Sequence, residues 1–203
     1  MVQRKCERGT EVLPFQQFEG SQTGNAPSPP LRKWNGSQSR RRAFLIGKGP
    51  ITSALATALG SKAVALATKF KALDIFISSG GGEVNAGLAL CGIVQTLNAK
   101  VRTVCFGRAH SVASLVLASG RSGYRKALSA SSVSLHRPSV GSFGNVGEMV
   151  QHVSSAVHSE EAVVQAYMKT CDKTLKEVRG AMLRTFAMDA NAARAWGLID
   201  DIL

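Results

Sequence analysis

A serine and a histidine stand where a nucleophile and its base would be expected. Ser111 lies in Gly107-Arg108-Ala109-His110-Ser111-Val112-Ala113-Ser114, just after the apolar run Val101 to Phe106, and His136 closes the run Ser132-Val133-Ser134-Leu135. A serine at a strand-to-helix turn exposes its hydroxyl beside the first helical N–H groups, and a histidine at a strand end is held within hydrogen-bond reach. The pair suggests acyl transfer through a serine ester. Taken singly, Ser111 reads more readily as a helix N-cap, and His136 as a strand-end histidine with a structural hydrogen bond; it is their combination that favours chemistry.

Acyl transfer also requires donors for the developing oxyanion. Ser78-Ser79-Gly80-Gly81-Gly82 follows the apolar run Leu73 to Ile77 and opens a helical stretch, so unobstructed backbone N–H groups converge at the carboxyl end of a strand. The N–H of Val112, next to the candidate nucleophile, supplies a second donor. Three glycines alone also suit a phosphate loop or a plain turn. Neither GxxxxGK[ST] nor GxGxxG occurs, which argues against a nucleotide site.

These residues need elements to hold them. Short apolar runs read as strands at Ala43 to Ile46, Leu73 to Ile77, Val101 to Phe106 and Ser132 to His136, and helical patterns lie between them at Ile51 to Phe70, Val84 to Leu97 and Ser111 to Ser119. Such alternation predicts an α/β fold with largely parallel strands and helical crossovers. From Asn145 to Thr170 a long helix carries Val146, Met149, Val150, Val153, Val157, Val163, Val164, Tyr167 and Met168 as an apolar stripe. It outruns a small core and is expected either to project as an interaction helix or to pack inward. Shorter helices at Leu175 to Leu183 and Ala190 to Ala195 precede a terminal strand, Leu198 to Leu203.

A chain of 203 residues suffices for one domain plus a tail. The expected division is a flexible basic N-terminal tail, 1–42, rich in Gly, Ser, Gln, Asn and Pro, and a domain over 43–203. The net charge of +12 invites a nucleic-acid reading, but Arg32-Lys33 and Arg40-Arg41-Arg42 sit in the tail and the other cations are dispersed, so nucleic acid is not favoured as a partner. Cys6, Cys91, Cys105 and Cys171 lack CxxC spacing, which favours reduced thiols over a zinc site. No window approaches a membrane span and no signal peptide is evident. A cytoplasmic protein is expected, with an organelle matrix or stroma as the alternative.

From about Ala43 to the C-terminus the sequence resembles the proteolytic subunit of Clp protease, a serine peptidase family with a crotonase-like spiral of ββα units and a projecting handle helix. Ile77-Ser78-Ser79-Gly80-Gly81-Gly82 and the stretch to Gly87 are similar to the family's Ile-Asn-Ser-Pro-Gly-Gly segment. Gly107 to Ser111 resembles its Gly-x-Ala-x-Ser turn, Leu135-His136-Arg137-Pro138 its His-Gln-Pro motif, and Trp196-Gly197-Leu198-Ile199-Asp200 its Tyr-Gly-Leu-Val-Asp ending. The resemblance implies Ser111 as nucleophile, His136 as base, Gly81 and Val112 as oxyanion donors, and residues 144–170 as the handle that stacks two heptameric rings into a tetradecamer. It further implies polypeptide substrates, an AAA+ unfoldase partner that alone would use ATP, and no cofactor in this chain.

Two positions depart from that pattern. Ungapped counting from His136 puts Thr185 where the family has its third catalytic residue, an aspartate. Threonine can accept a histidine N–H but brings no charge. Asp189 reads as an N-cap for the next helix, or as a substitute carboxylate if the backbone differs there. Gly80 replaces the family's proline and loosens the glycine loop. Two other readings follow: a weak or inert subunit completing a mixed ring, and an acyl-CoA enzyme of the crotonase type, against which the serine and histidine motifs argue.

Overall fold

Three parallel strands form the centre: β1 (Arg42–Lys48), β2 (Ala72–Ser79) and β3 (Lys100–His110), in the order β1-β2-β3. Helix α1 (Ser53–Lys69), capped by Thr52, makes the first crossover, and α2 (Val84–Thr96) the second. In the computed structural model the described residues are 42–139, 141, 143–183 and 186–203. The tail expected over 1–42 falls outside them except for its last residue, as does Thr185.

Strand β3 is longer than its apolar run predicts. Its register with β2 slips between Ile77, opposite Cys105, and Ser79, opposite Ala109, and Gly107 takes φ +101° in the slipped stretch. A bulge re-aims a strand. Here the first half of β3 pairs with β4 (Arg125–Ala127), while the second half pairs in parallel with β5 (Ser132–Leu135). β7 (Asp201–Ile202) extends the β4 side, and β6 (Phe186–Met188) adds antiparallel to β5. The sheet therefore turns a corner at the end of β3, and α3 (Val112–Ala118) starts there.

Helix α3 is buried along its whole length, as expected of a helix that is apolar all round. It packs under β2 and β3 and against α2, where a side chain on Gly87 would collide with Val112. Helix α4 (Val146–Cys171) begins at a capping box, Asn145 with Glu148, and ends at Asp172 in the left-handed region. Its buried residues, Val163, Val164, Tyr167 and Cys171, all fall in its C-terminal half, while every residue from Val146 to Ser155 is exposed. The α/β spiral with a projecting helix is thus the observed architecture. Helices α5 (Leu175–Met182) and α6 (Ala190–Trp196) complete it.

The motif ending in Asp200 has a structural role. Asp200 receives the Nε and Nη2 of buried Arg125, whose Nη1 donates to the Thr170 carbonyl at 2.9 Å, so one arginine ties β4, the end of α4 and the C-terminus together. Burial works against the Asp200 carboxylate, but the Arg125 bonds outweigh it and hold its pKa below the usual range. No described helix is long and apolar enough to cross a membrane.

Candidate active site

Ser111 sits between β3 and α3 with φ +55° and ψ −135°. Only it and Asp172 have positive φ among the described non-glycine residues. A serine held there costs about 1–3 kcal/mol and persists only where its surroundings over-determine it. Ser111 occupies the N-cap position of α3, but its side chain makes no capping bond there, so the hydroxyl is not spent on the helix. A strained serine at a strand-to-helix elbow presents its Oγ outward.

The strain is held by buried polar groups. The Ser111 N–H donates to the Ser134 carbonyl at 2.9 Å, which fastens the elbow to β5. Its carbonyl accepts from the Ser114 N–H at 2.9 Å, with Ser114 Oγ at 2.7 Å and Tyr167 Oη at 3.2 Å. Ser114 Oγ is also 2.9 Å from the Ser134 carbonyl and 2.8 Å from Tyr167 Oη. Each hydroxyl has one proton. All acceptors are served when Ser114 donates to Ser134 and Tyr167 donates to Ser114 or Ser111. Burial pushes the Tyr167 phenol well above its ordinary pKa, so it stays a neutral donor. Trp196 meets the tyrosine ring edge-on, with centroids 6.3 Å apart.

Removing only this hydroxyl, by Tyr167→Phe, should slow phosphonylation of Ser111 by a fluorophosphonate, with loss of fluoride, about five- to tenfold, or about 1 to 1.4 kcal/mol of barrier. The circular dichroism spectrum and the KM for a peptide should not change. A labelling rate equal to wild type would show that the phenol does not position the elbow.

His136 directly follows β5. Its segment is pinned on one side by the Ser111 to Ser134 bond and on the other by the Arg137 N–H, which donates to the Met182 carbonyl at 3.2 Å. Arg137 also pairs with Glu160 of α4 through Nε at 2.9 Å and Nη2 at 3.1 Å. The imidazole itself is half-buried and makes no hydrogen bond to any described residue. The structure brings His136 to the same sheet end as Ser111, but no bond within 3.5 Å joins their side chains. Such bonds are often long before substrate arrives.

Gly81 reaches the elbow directly: a Cβ on it would fall 2.7 Å from Ser111 Cβ and 2.9 Å from the His110 carbonyl. With φ +99°, only glycine fits. The loop is stapled to Ile51, whose N–H donates to the Gly81 carbonyl and whose carbonyl accepts from Glu83. The Gly81 N–H, however, donates to Ser79 Oγ at 3.1 Å. It must leave that hydroxyl before it can serve an oxyanion. The Val112 N–H opens α3, where the first N–H groups lack helical partners.

Residues 36–203 match the Clp protease family. The chain belongs to the Clp protease family. Every described element of this Clp protease domain lies within the match.

Thr185 lies outside the described residues. Its chain neighbour Phe186 pairs with Leu135, the neighbour of His136. Asp189 caps α6, accepting from the Ala192 N–H at 2.8 Å, so the N-cap reading of this carboxylate holds. Ser114, Ser79 and the β5–β6 pairing escaped the sequence reading. Ser114 carried a faint signal, a second serine one helical turn after Ser111. Tyr167 was legible only as part of an apolar stripe. Cys91, Cys105 and Cys171 are free and buried, and burial pushes the first two thiols up to about 12 and about 11.

Proposed function

We propose that this Clp protease family member is a serine endopeptidase subunit that cleaves unfolded polypeptides or peptides through an acyl-enzyme on Ser111. The strained, uncapped Ser111 backbone, braced by Ser114 and Tyr167, carries this reading. In the proposed mechanism His136 takes the Ser111 proton as Oγ attacks the scissile carbonyl. The Val112 N–H and a Gly81 N–H turned away from Ser79 bind the oxyanion, and the imidazolium then protonates the leaving amine. Thr185 orients His136 without offsetting its charge. The peptidase unit is residues 43–203, preceded by a basic tail. Subunits join into stacked rings through α4, and an AAA+ partner supplies unfolded chains at the expense of ATP.

A fluorophosphonate probe tests the reading: its adduct should map to the peptide containing Ser111. Failure to label folded protein would favour a second reading, an inert subunit of a mixed ring. Two observations support that alternative: the Asp189 carboxylate is spent on α6, and the Gly81 N–H on Ser79.

Thr185→Asp distinguishes weak from inert. A carboxylate facing the non-reacting nitrogen of His136 would stabilise the imidazolium. Peptide hydrolysis should rise at least tenfold, about 1.4 kcal/mol of barrier, yet stay short of a full triad because the surrounding shell was not built for an acid. An unchanged rate would mean that Thr185 does not face His136.

A further inference from the structure

Parallel pairing sets Arg108 opposite Ser132 and His110 opposite Ser134, and alternation along each strand puts all four side chains on one face of the sheet. The contact between His110 Nε2 and Ser132 Oγ, 3.0 Å, lies on this face. Arg108 is exposed and has no carboxylate or hydrogen-bond partner among the described residues. Its Nε lies 4.0 Å from where a Cβ on Gly80 would be. Gly80 precedes Gly81, which packs against Ser111, so the guanidinium stands beside the glycine loop next to the hydroxyl.

Among the described residues, no acidic side chain pairs with this charge. The loop's own carboxylate, Glu83, is taken by the N–H and hydroxyl of Ser53 at the start of α1. His110 is held neutral more readily than a free histidine, first by burial and then by the charges of Arg108 and His136. The floor next to Ser111 is therefore cationic, with an unspent guanidinium able to grip a carboxylate through two parallel N–H bonds.

We propose that Arg108, with Ser132 beside it, forms a subsite for a carboxylate of the substrate within two residues of the scissile bond, so that the protein prefers acidic peptides. The inference rests on the peptidase reading. The carboxylate could be an Asp or Glu side chain or the peptide's own C-terminus.

The test uses quenched fluorogenic peptides, amidated at the C-terminus and identical except for Glu, Gln or Lys at each position flanking the cleaved bond, with one free-acid series. The kcat/KM for Glu should exceed that for Lys at least tenfold at one position and should shrink with added salt. The preference should vanish in Arg108→Gln and reverse in Arg108→Glu. A preference confined to the free-acid series would assign the subsite to the peptide terminus. Equal rates for Glu and Lys, or a preference that survives Arg108→Gln, would overturn the proposal. Should no peptide be cut and Ser111 not label, the peptidase reading fails on its own. Binding of the same peptides to Ser111→Ala protein, followed by fluorescence anisotropy, then decides the subsite. Arg108-dependent tighter binding of the Glu peptide supports it, and equal binding sinks it.

Discussion

Replacing Ser111 with alanine should abolish fluorophosphonate labelling and peptide hydrolysis while leaving the native mass and the melting temperature near wild type. The substitution removes one oxygen that makes no capping bond, and loss of a nucleophile costs the whole covalent pathway, several orders of magnitude in rate. The elbow itself should survive, because its bonds to Ser134, Ser114 and Tyr167 run through the Ser111 backbone. Alanine at φ +55° is as strained as serine, so a modest stability change is compatible with the reading. Labelling of the variant at the wild-type rate would remove Ser111 from the mechanism.

The second large effect concerns α4. Val146, Val150, Val153 and Val157 recur at helical spacing, and each is 60% or more exposed. Four valines on one uncovered face of a projecting helix are a surface that assembly would cover. Val153→Glu combined with Val157→Glu would place two unpaired carboxylates in that contact, at several kcal/mol for each charge taken out of water. Native mass spectrometry should show stacked rings giving way to single rings or smaller species, with the spectroscopic signature of the fold unchanged. A mass identical to wild type would exclude this face as the contact.

Much of the arrangement was readable because strand and helix signals near the site are local. Apolar runs separated by helical patterns defined β1 to β3 and their crossovers, and the apolar stripe beginning at Val146 marked α4. Residues set by non-local pairing were not readable. The three residues of β4 and the three of β6 are too short to show a period, and they are strands only because β3 and β5 provide edges for them. The extension of β3 through Gly107 depends on a bulge against β2, which no composition signal announces. Likewise Ser114 and Tyr167 are ordinary residues of a buried and an apolar face until the fold brings their hydroxyls within 2.8 Å of each other.

Tyr167 and the exposed valines belong to the same helix. From Val146 to Tyr167 the rise along an α-helix is about 30 Å, and α4 has no break between them. A rod of that length is a lever. Its buried end grips the carbonyl of Ser111 through a single hydroxyl, and its free end stands in solvent where another molecule can push on it. One continuous helix thus carries both the uncovered valines and the phenol that lies against the Ser111 carbonyl, so the surface open to another molecule and the brace of the elbow are parts of a single element.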